Sequence, residues 1–532
     1  MPYAGQTYRI PANRGGWNAN PNADLIPPES MVEARNINLH RGGRETRGGV
    51  AKVNGTAIPN GPRITGIFQF RKKDGSEFIV TTTADGKIQK DYSTELKTGL
   101  TANKISSFAV FKDQLYICNG ADRPQVWDGV AATTSDITNI PTDWTGTAWP
   151  KAMIVHGRGA SESLWAWGVP GLEEKIYVSQ NGADNFSDAQ VTILSIETGD
   201  GFGIVALAEY LQTLVAFGKR RSYIIDDEST DRTQWGYNPA RWDGGAASNR
   251  LVVRTPNDLV AMQEDGEIYS VVRAQEVLDL RAVSIARPAH IHVWIGDNVD
   301  LSQIDDFHMI YDPALRAILF FVIRNGESRS DSAMAFFIDR PAEEAWVNRR
   351  YYKNYFASSS GLVRVAAGDW RIYLGGYTGF AWKLEDESFL DDGEYYYSGF
   401  TTPELAFEDP RGEKQFDRAH LVLRRMGSET IQAHLFVDGD AIVGGFFLVD
   451  ENGNNVVDES GNLIIGYEFD PYTFQMTAPP PLTSPQRLSS AQHAIGRNGR
   501  RIQSEIFQTV AGERMFVAQI LYDFKPLGPE PR

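Results

Sequence analysis

Runs of carboxylates are the first feature of this sequence with chemical potential. Asp226-Asp227-Glu228, Asp305-Asp306, and the stretch holding Glu385, Asp386, Glu387, Asp391, Asp392 and Glu394 could each supply an acid and a base. Glycoside hydrolysis needs such a pair on either side of the scissile bond. Neighbouring residues of a strand point to opposite faces, so adjacent carboxylates do not form the pair by themselves, and a glycosidase would draw its two acids from different strands. His290 and His292, with Asp297 and Asp300 downstream, would share a face on a strand and could hold a cation, but the pattern fits partly exposed surface better. Cys118 lies in the apolar run LYIC with no histidine placed beside it, which suits a small buried hydrophobe rather than a nucleophile. The chain has no Gly-x-Ser-x-Gly elbow, phosphate-binding Gly-x-x-x-x-Gly-Lys, strand-linked Gly-x-Gly-x-x-Gly or His-Glu-x-x-His. The expectation is a protein that is not an enzyme, with no catalytic, metal or cofactor residues.

Arginines form the second chemically distinct group. Arg9, Arg14, Arg35, Arg41, Arg44 and Arg47 crowd the first 50 residues, against four acids, while the whole chain balances 52 Lys+Arg against 68 Asp+Glu for a net charge of −16. Such an excess of acid argues against binding DNA over the whole surface and leaves room for a local basic strip. The six arginines are candidate contacts to a neighbouring subunit or another protein.

The elements that must position these groups are strands. The 532 residues are 42% apolar and 11% aromatic, enough for large cores, and the 50 glycines fall between short β-branched and aromatic runs rather than inside helical patterns. One cysteine excludes a disulfide framework. No run near 20 residues is uniformly apolar, and the amino terminus lacks the apolar centre of a signal peptide, so the expectation is a soluble chain with no membrane insertion of its own, made in the cytoplasm. Strand–turn–strand units recur with starts near 78, 115, 176, 214, 259, 318 and 372, at spacings of 37, 61, 38, 45, 59 and 54 residues. One four-stranded propeller blade takes about 40–50 residues, and radial closure protects the edges of many sheets at once. The spacing therefore predicts an irregular β-propeller of roughly six to eight blades over 61–390, in an all-β chain. The alternative is a series of hairpins in stacked sandwiches. An extended amino-terminal arm covers 1–60. After the acidic run comes a β-rich carboxy-terminal domain, 391–532, with protruding hairpins near 440–470 marked by Asp450-Glu-Asn-Gly-Asn454 and Asp458-Glu-Ser-Gly-Asn462. Most of the twelve tryptophans suit blade cores and subunit contacts, while Trp165 and Trp167 could line one exposed surface together.

An ordered series of motifs adds a family likeness. Pro27-Pro28-Glu29, then Ala34-Arg35-Asn36, then Gly43-x-x-x-Arg47-x-Gly49 resemble the opening of the tail nozzle family of short-tailed bacteriophages, also called tail tubular protein B or tail hub. Ile176–Phe186 (IYVSQNGADNF), Leu214–Ile225 (LVAFGKRRSYII) and Leu259–Tyr269 (LVAMQEDGEIY) are similar to later hairpins of that family. The resemblance implies a β-propeller subunit of a homohexameric virion ring, which docks to a portal-adaptor ring, carries tail fibres or tailspikes and passes double-stranded DNA at genome ejection without binding it specifically. Six copies would sum to a charge of about −96, and acidic walls repel a phosphate backbone. On that reading Asp226, Asp227, Glu228, Glu385, Asp386, Glu387, Asp391 and Asp392 face the lumen and the amino-terminal arginines face the adaptor or the next subunit. Two other functions are compatible with a propeller: an enzyme on cell-surface polysaccharide and a cytoplasmic scaffold.

Overall fold

A computed structural model of the chain describes all residues except 1–4, 23–24, 41, 274–279, 352–356, 408–409, 425–429, 442–473, 478–487, 509–510 and 528–532. Both turn signals of the expected protruding hairpins, and Arg41, fall outside the described residues. The fold is all-β: an irregular β-propeller with an added β-rich carboxy-terminal platform.

Seven four-stranded antiparallel units make the propeller. They span 64–97, 107–136, 152–195, 204–243, 252–284 and 308–350, and the seventh takes three strands from 359–386 and a fourth from the amino-terminal region. The first strand of each unit lies against the first strand of the next, and Ser359–Ala366 of the seventh lies against Ile64–Arg71 of the first, which closes the ring. Six of the seven recurrences seen in the sequence begin on the second strand of a blade. The one near 176 begins on a third strand, Lys175–Val178, which accounts for the unequal spacings around it. The tryptophans fill the blades as expected, with Trp127, Trp144, Trp346 and Trp382 buried. Trp165 and Trp167 are buried as well, at 1% and 4% exposure, and line no surface, because all five residues of Ser163–Trp167 are covered by packing on both faces of their sheet.

The amino-terminal segment runs through both halves of the molecule. Its strands are β1 (Gln6–Pro11), β2 (Glu33–Arg35), β3 (Ile37–His40), β4 (Gly43–Thr46) and β5 (Gly49–Lys52). β1 and β4 pair with Phe516–Pro526, which also pairs with Lys414–Arg424. β2 is parallel to the outer strand of the sixth blade, Trp346–Arg350, at Arg35 and Asn348, and antiparallel to Ser398–Thr401. That blade thus continues, through β2, into a platform sheet that runs on to Ile502–Gln508 and Thr430–Val437. β5 completes the seventh blade against Ala381–Asp386. The two platform sheets share a buried cluster that includes Phe400, Leu421, Ile431, Ile506 and Tyr522.

The only α-helix among the described residues, Ile291–Asn298, begins where the sequence suggested a strand. His290 caps it in a left-handed conformation and His292 lies in its first turn, so the two imidazoles do not share a strand face.

Val50, 1% exposed, lies at the centre of the closing strand β5. Val50→Asp places an unpaired carboxylate there, and burial of such a group costs several kcal/mol. The variant is expected to lose at least about 3 kcal/mol in urea denaturation, with hydrogen exchange accelerating first in 359–386. Equal protection of that blade in variant and parent would mean that β5 is not what closes the ring.

Candidate functional site

The residues named from the sequence separate into a buried junction, a clamp between blades and a set of exposed loops. The junction is built where β2–β5 pass between the sixth blade, the seventh blade and the platform. Arg47, between β4 and β5, is buried and donates to both oxygens of Asp391 at 2.9 and 2.7 Å, to the Gly48 carbonyl at 2.7 Å and to Asn36 Oδ1 at 3.0 Å. The rings of Tyr396 and Tyr351 flank its guanidinium at 3.8 and 4.9 Å. Burial alone would lower the Arg47 pKa, but the Asp391 carboxylate outweighs it and the net direction is upward.

A second buried pair lies beside the first. Arg349 donates to Glu385 Oε1 at 2.7 Å and to Asn38 Oδ1 at 2.5 Å, while Glu385 Oε2 accepts from Asn38 Nδ2 at 2.9 Å and from the Gly48 amide at 2.8 Å. Burial pushes the Glu385 carboxyl up, yet Arg349 and these donors hold it below its ordinary value. Asn36 extends the network, its side chain donating to the Tyr397 carbonyl and accepting from the Arg350 amide. Gly48 and Gly49 must be glycines here: a Cβ on either would lie 2.4 Å from Glu385 Cα or 2.1 Å from the Leu390 carbonyl.

This geometry corrects several expectations. Glu385 and Asp391 are counter-ions inside the chain and cannot face a lumen, because buried arginines require them there. Asp386 and Asp392 are half-buried and paired with Lys383 and Lys52, at 2.9 and 3.0 Å. Arg44 and Arg47 are buried and cannot contact an adaptor or neighbouring subunit. Arg44 donates to the Arg14 and Glu29 carbonyls and stacks on Phe400, and its pKa falls to about 9 through burial, with Arg340 adding to the effect. Arg35 pairs with Glu33 at 2.7 Å, while Arg9 and Arg14 are exposed.

Asp227 is half-buried and belongs to the clamp. His156, at the end of the first strand of the third blade, is 5% exposed and places Nδ1 3.0 Å from Glu209 and Nε2 3.0 Å from Asp227, both in the fourth blade. Arg254 of the fifth blade lies 3.5 Å from Glu209, and Trp165 packs edge-on against the imidazole. Burial lowers the His156 pKa, but the two carboxylates outweigh it and the net shift is upward. Nothing in the sequence marked His156, since its partners lie 53 and 71 residues away.

Asp226, Glu228 and Glu387 remain exposed. Cys118 is buried in the second blade, and burial raises its thiol pKa, so it is not poised as a nucleophile. Among the described residues no group of three or more His, Cys, Asp or Glu is arranged to hold a metal ion, and no helix is long and apolar enough to cross a membrane. At the seam of β2, the helix and the sixth blade is a cavity of about 480 Å³ with Trp17, Trp294, Arg35, Arg324, Asn348 and Arg350 in its wall.

Two measurements test these placements. Removing one partner of a buried ion pair strands the other, so Arg47→Met is expected to cost about 3–5 kcal/mol in urea denaturation, and Arg47→Met with Asp391→Leu less than the sum of the single changes. Strict additivity would mean that the pair is not coupled. The His156 pKa is raised on folding, so its contribution is complete below about pH 6.5, the unfolded value, and fades as pH rises through the folded one. His156→Gln is therefore expected to cost about 1 kcal/mol near pH 6 and progressively less above pH 7. A deficit independent of pH would exclude the charged clamp.

No protein-family model and no curated protein sequence matches the chain. Among solved structures it is similar to YCF48 from Cyanidioschyzon merolae, at 14% identity and a TM-score of 0.36, over 63% of this chain and 98% of that one. It is also similar to the β-propeller domain of Cps50 (Swd1) from Myceliophteria thermophila, at 11% identity and a TM-score of 0.42, over 63% of this chain and 99% of that one.

Proposed function

We propose that this chain is the structural subunit of a tail nozzle in a short-tailed bacteriophage, a non-enzymatic homohexameric ring that forms the channel for genome ejection and a docking platform for a portal-adaptor ring and for fibres or tailspikes. One observation carries the reading. The motif residues that resemble that family, Asn36, Arg47 and Gly49, are the residues that join the propeller to the platform: Arg47 binds Asn36 and Asp391, and Gly49 fits beneath Leu390. A ring subunit that must transmit load between an adaptor above and fibres below needs its two halves coupled, and a shared sheet with a buried ionic junction couples them. The chain sits in the virion tail after synthesis in the host cytoplasm.

The DNA-facing role falls to the acids that stay exposed. Asp226, Glu228 and Glu387 have no ion-pair partner among the described residues, and a wall bearing them would repel the phosphate backbone.

The chain, alone or with its adaptor, is expected to form a six-fold ring with a central hole in negative-stain images, near 355 kDa for six copies of 59.2 kDa. Asp226→Lys with Glu228→Lys is expected to slow genome release with assembly intact. A monomer that stays monomeric on adaptor-loaded capsids would end the nozzle reading. Reducing-sugar release from host polysaccharide by the purified chain would replace it with an enzyme.

A further inference from the structure

Three arginines from separate blades converge at one end of the propeller axis, where the first strands begin. Arg63 precedes the first strand of the first blade, Arg250 lies in the turn that precedes the first strand of the fifth, and Arg329 lies between the second and third strands of the sixth. Arg63 Nε donates to Ser358 Oγ at 2.7 Å and Arg250 Nη2 donates to the Ser358 carbonyl at 2.8 Å, so one residue receives both guanidinium groups. Arg63 and Arg329 lie over the ring of Tyr377, at 5.4 and 5.2 Å. Among the described residues one carboxylate pairs with the three cations: Asp306, with Arg63.

The cluster is under-neutralised where it is most buried. Arg250 Nη1 is enclosed and has no hydrogen-bond partner, and Arg250 makes no ion pair among the described residues. Its pKa is depressed to about 10 by burial and then by Arg63. His308, which starts the first strand of the sixth blade, is 2% exposed, and neither ring nitrogen makes a hydrogen bond of normal geometry. Burial and the nearby Arg250 and Arg63 keep it neutral. An enclosed guanidinium nitrogen without a partner is costly; Arg47 and Arg349 meet carboxylates, while Arg44 leaves Nε and Nη1 unpartnered as Arg250 leaves Nη1. Arg329 is exposed and Arg63 about a quarter exposed, so the cluster is open to solvent on one side.

We propose that Arg63, Arg250 and Arg329, around Tyr377 and Ser358, form a binding site for a phosphate-like oxyanion at the mouth of the propeller axis. Guanidinium groups present forked donors that match such an anion; Arg329 and Arg63 supply the solvent-reachable donors, and the charge of the enclosed Arg250 lies behind them. The anion would balance the charge of Arg250 and tie the first, fifth, sixth and seventh blades together through Ser358. The site is independent of the nozzle reading.

Calorimetric titration of the full chain with inorganic phosphate tests the proposal, with sodium chloride at matched ionic strength as the control. Phosphate is expected to bind and to raise the melting temperature, and Arg250→Met to weaken it at least tenfold. Arg329→Gln, at an exposed position, keeps the test usable if Arg250→Met fails to fold, and is expected to weaken binding about threefold. A phosphate-bridged dinucleotide added as competitor separates the sources: displacement identifies a phosphate ester as the occupant, and no displacement identifies the free ion. Absence of phosphate binding to the parent, or equal affinity in parent and both variants, overturns the site.

Discussion

The pairing of Arg47 with Asp391, packed beside Arg349 and Glu385, is the constraint on which the architecture rests. The four side chains come from the amino-terminal segment, the sixth blade, the end of the seventh blade and the linker beyond it, and they are buried in one place. A buried ion pair adds little net stability over apolar packing, because desolvation of both charges offsets most of their attraction. What it adds is intolerance of alternatives. β5 is four residues long, and a slip of one residue in its pairing with Ala381–Asp386 would turn Val50 outward and carry Arg47 away from Asp391. The ionic junction therefore fixes a register that so short a strand could not fix through its own packing.

That register has consequences on both sides. In the propeller, the last blade lacks its outer strand until residues 49–52 return to it, so the ring is completed by a contact between segments more than 300 residues apart in the chain. Such pairing incurs the loop-closure entropy of a span of more than 300 residues. In the platform, β2 holds the outer strand of the sixth blade on one side and Ser398–Thr401 on the other, so backbone hydrogen bonds cross from propeller to platform without interruption. Asn36, in a left-handed conformation just after β2, accepts from Arg47 and from the Arg350 amide through one oxygen, which ties the crossing to the ion pair.

Local patterns in the sequence carried the propeller, and non-local partnerships hid the junction. Strand–turn–strand units were legible because alternation and turn glycines act over ten residues or so, and each recurrence falls in a separate blade. The closing strand was not legible, since Gly-Val-Ala-Lys has too few residues to show alternation. The acids of the stretch from Glu385 to Glu394 read as lumen-facing because composition reports charge and not its neutralisation. Its two buried members meet arginines 36 and 344 residues away, a separation that no window along the chain can span. The amino-terminal arginines were misplaced for the same reason, Arg44 and Arg47 being core residues whose surroundings come from distant strands. The helix at Ile291–Asn298 escaped because its eight residues lie in a long connection between the fifth and sixth blades, the same insertion that stretches the spacing there.

The distribution of charge that results differs from what the net value of −16 suggests. Much of the acid is committed internally: Asp391 and Glu385 to the junction, Asp227 and Glu209 to the His156 clamp, Asp331 to Arg324. Each commitment lies where separate blades or the two halves of the molecule meet, or between adjacent strands of one blade. Acidic side chains here first hold strands and blades in place, and Asp226, Glu228 and Glu387 are among those left exposed. The arginine cluster around Ser358 is the inverse case. There the cations outnumber the acids at the mouth of the axis, and an external anion would balance them.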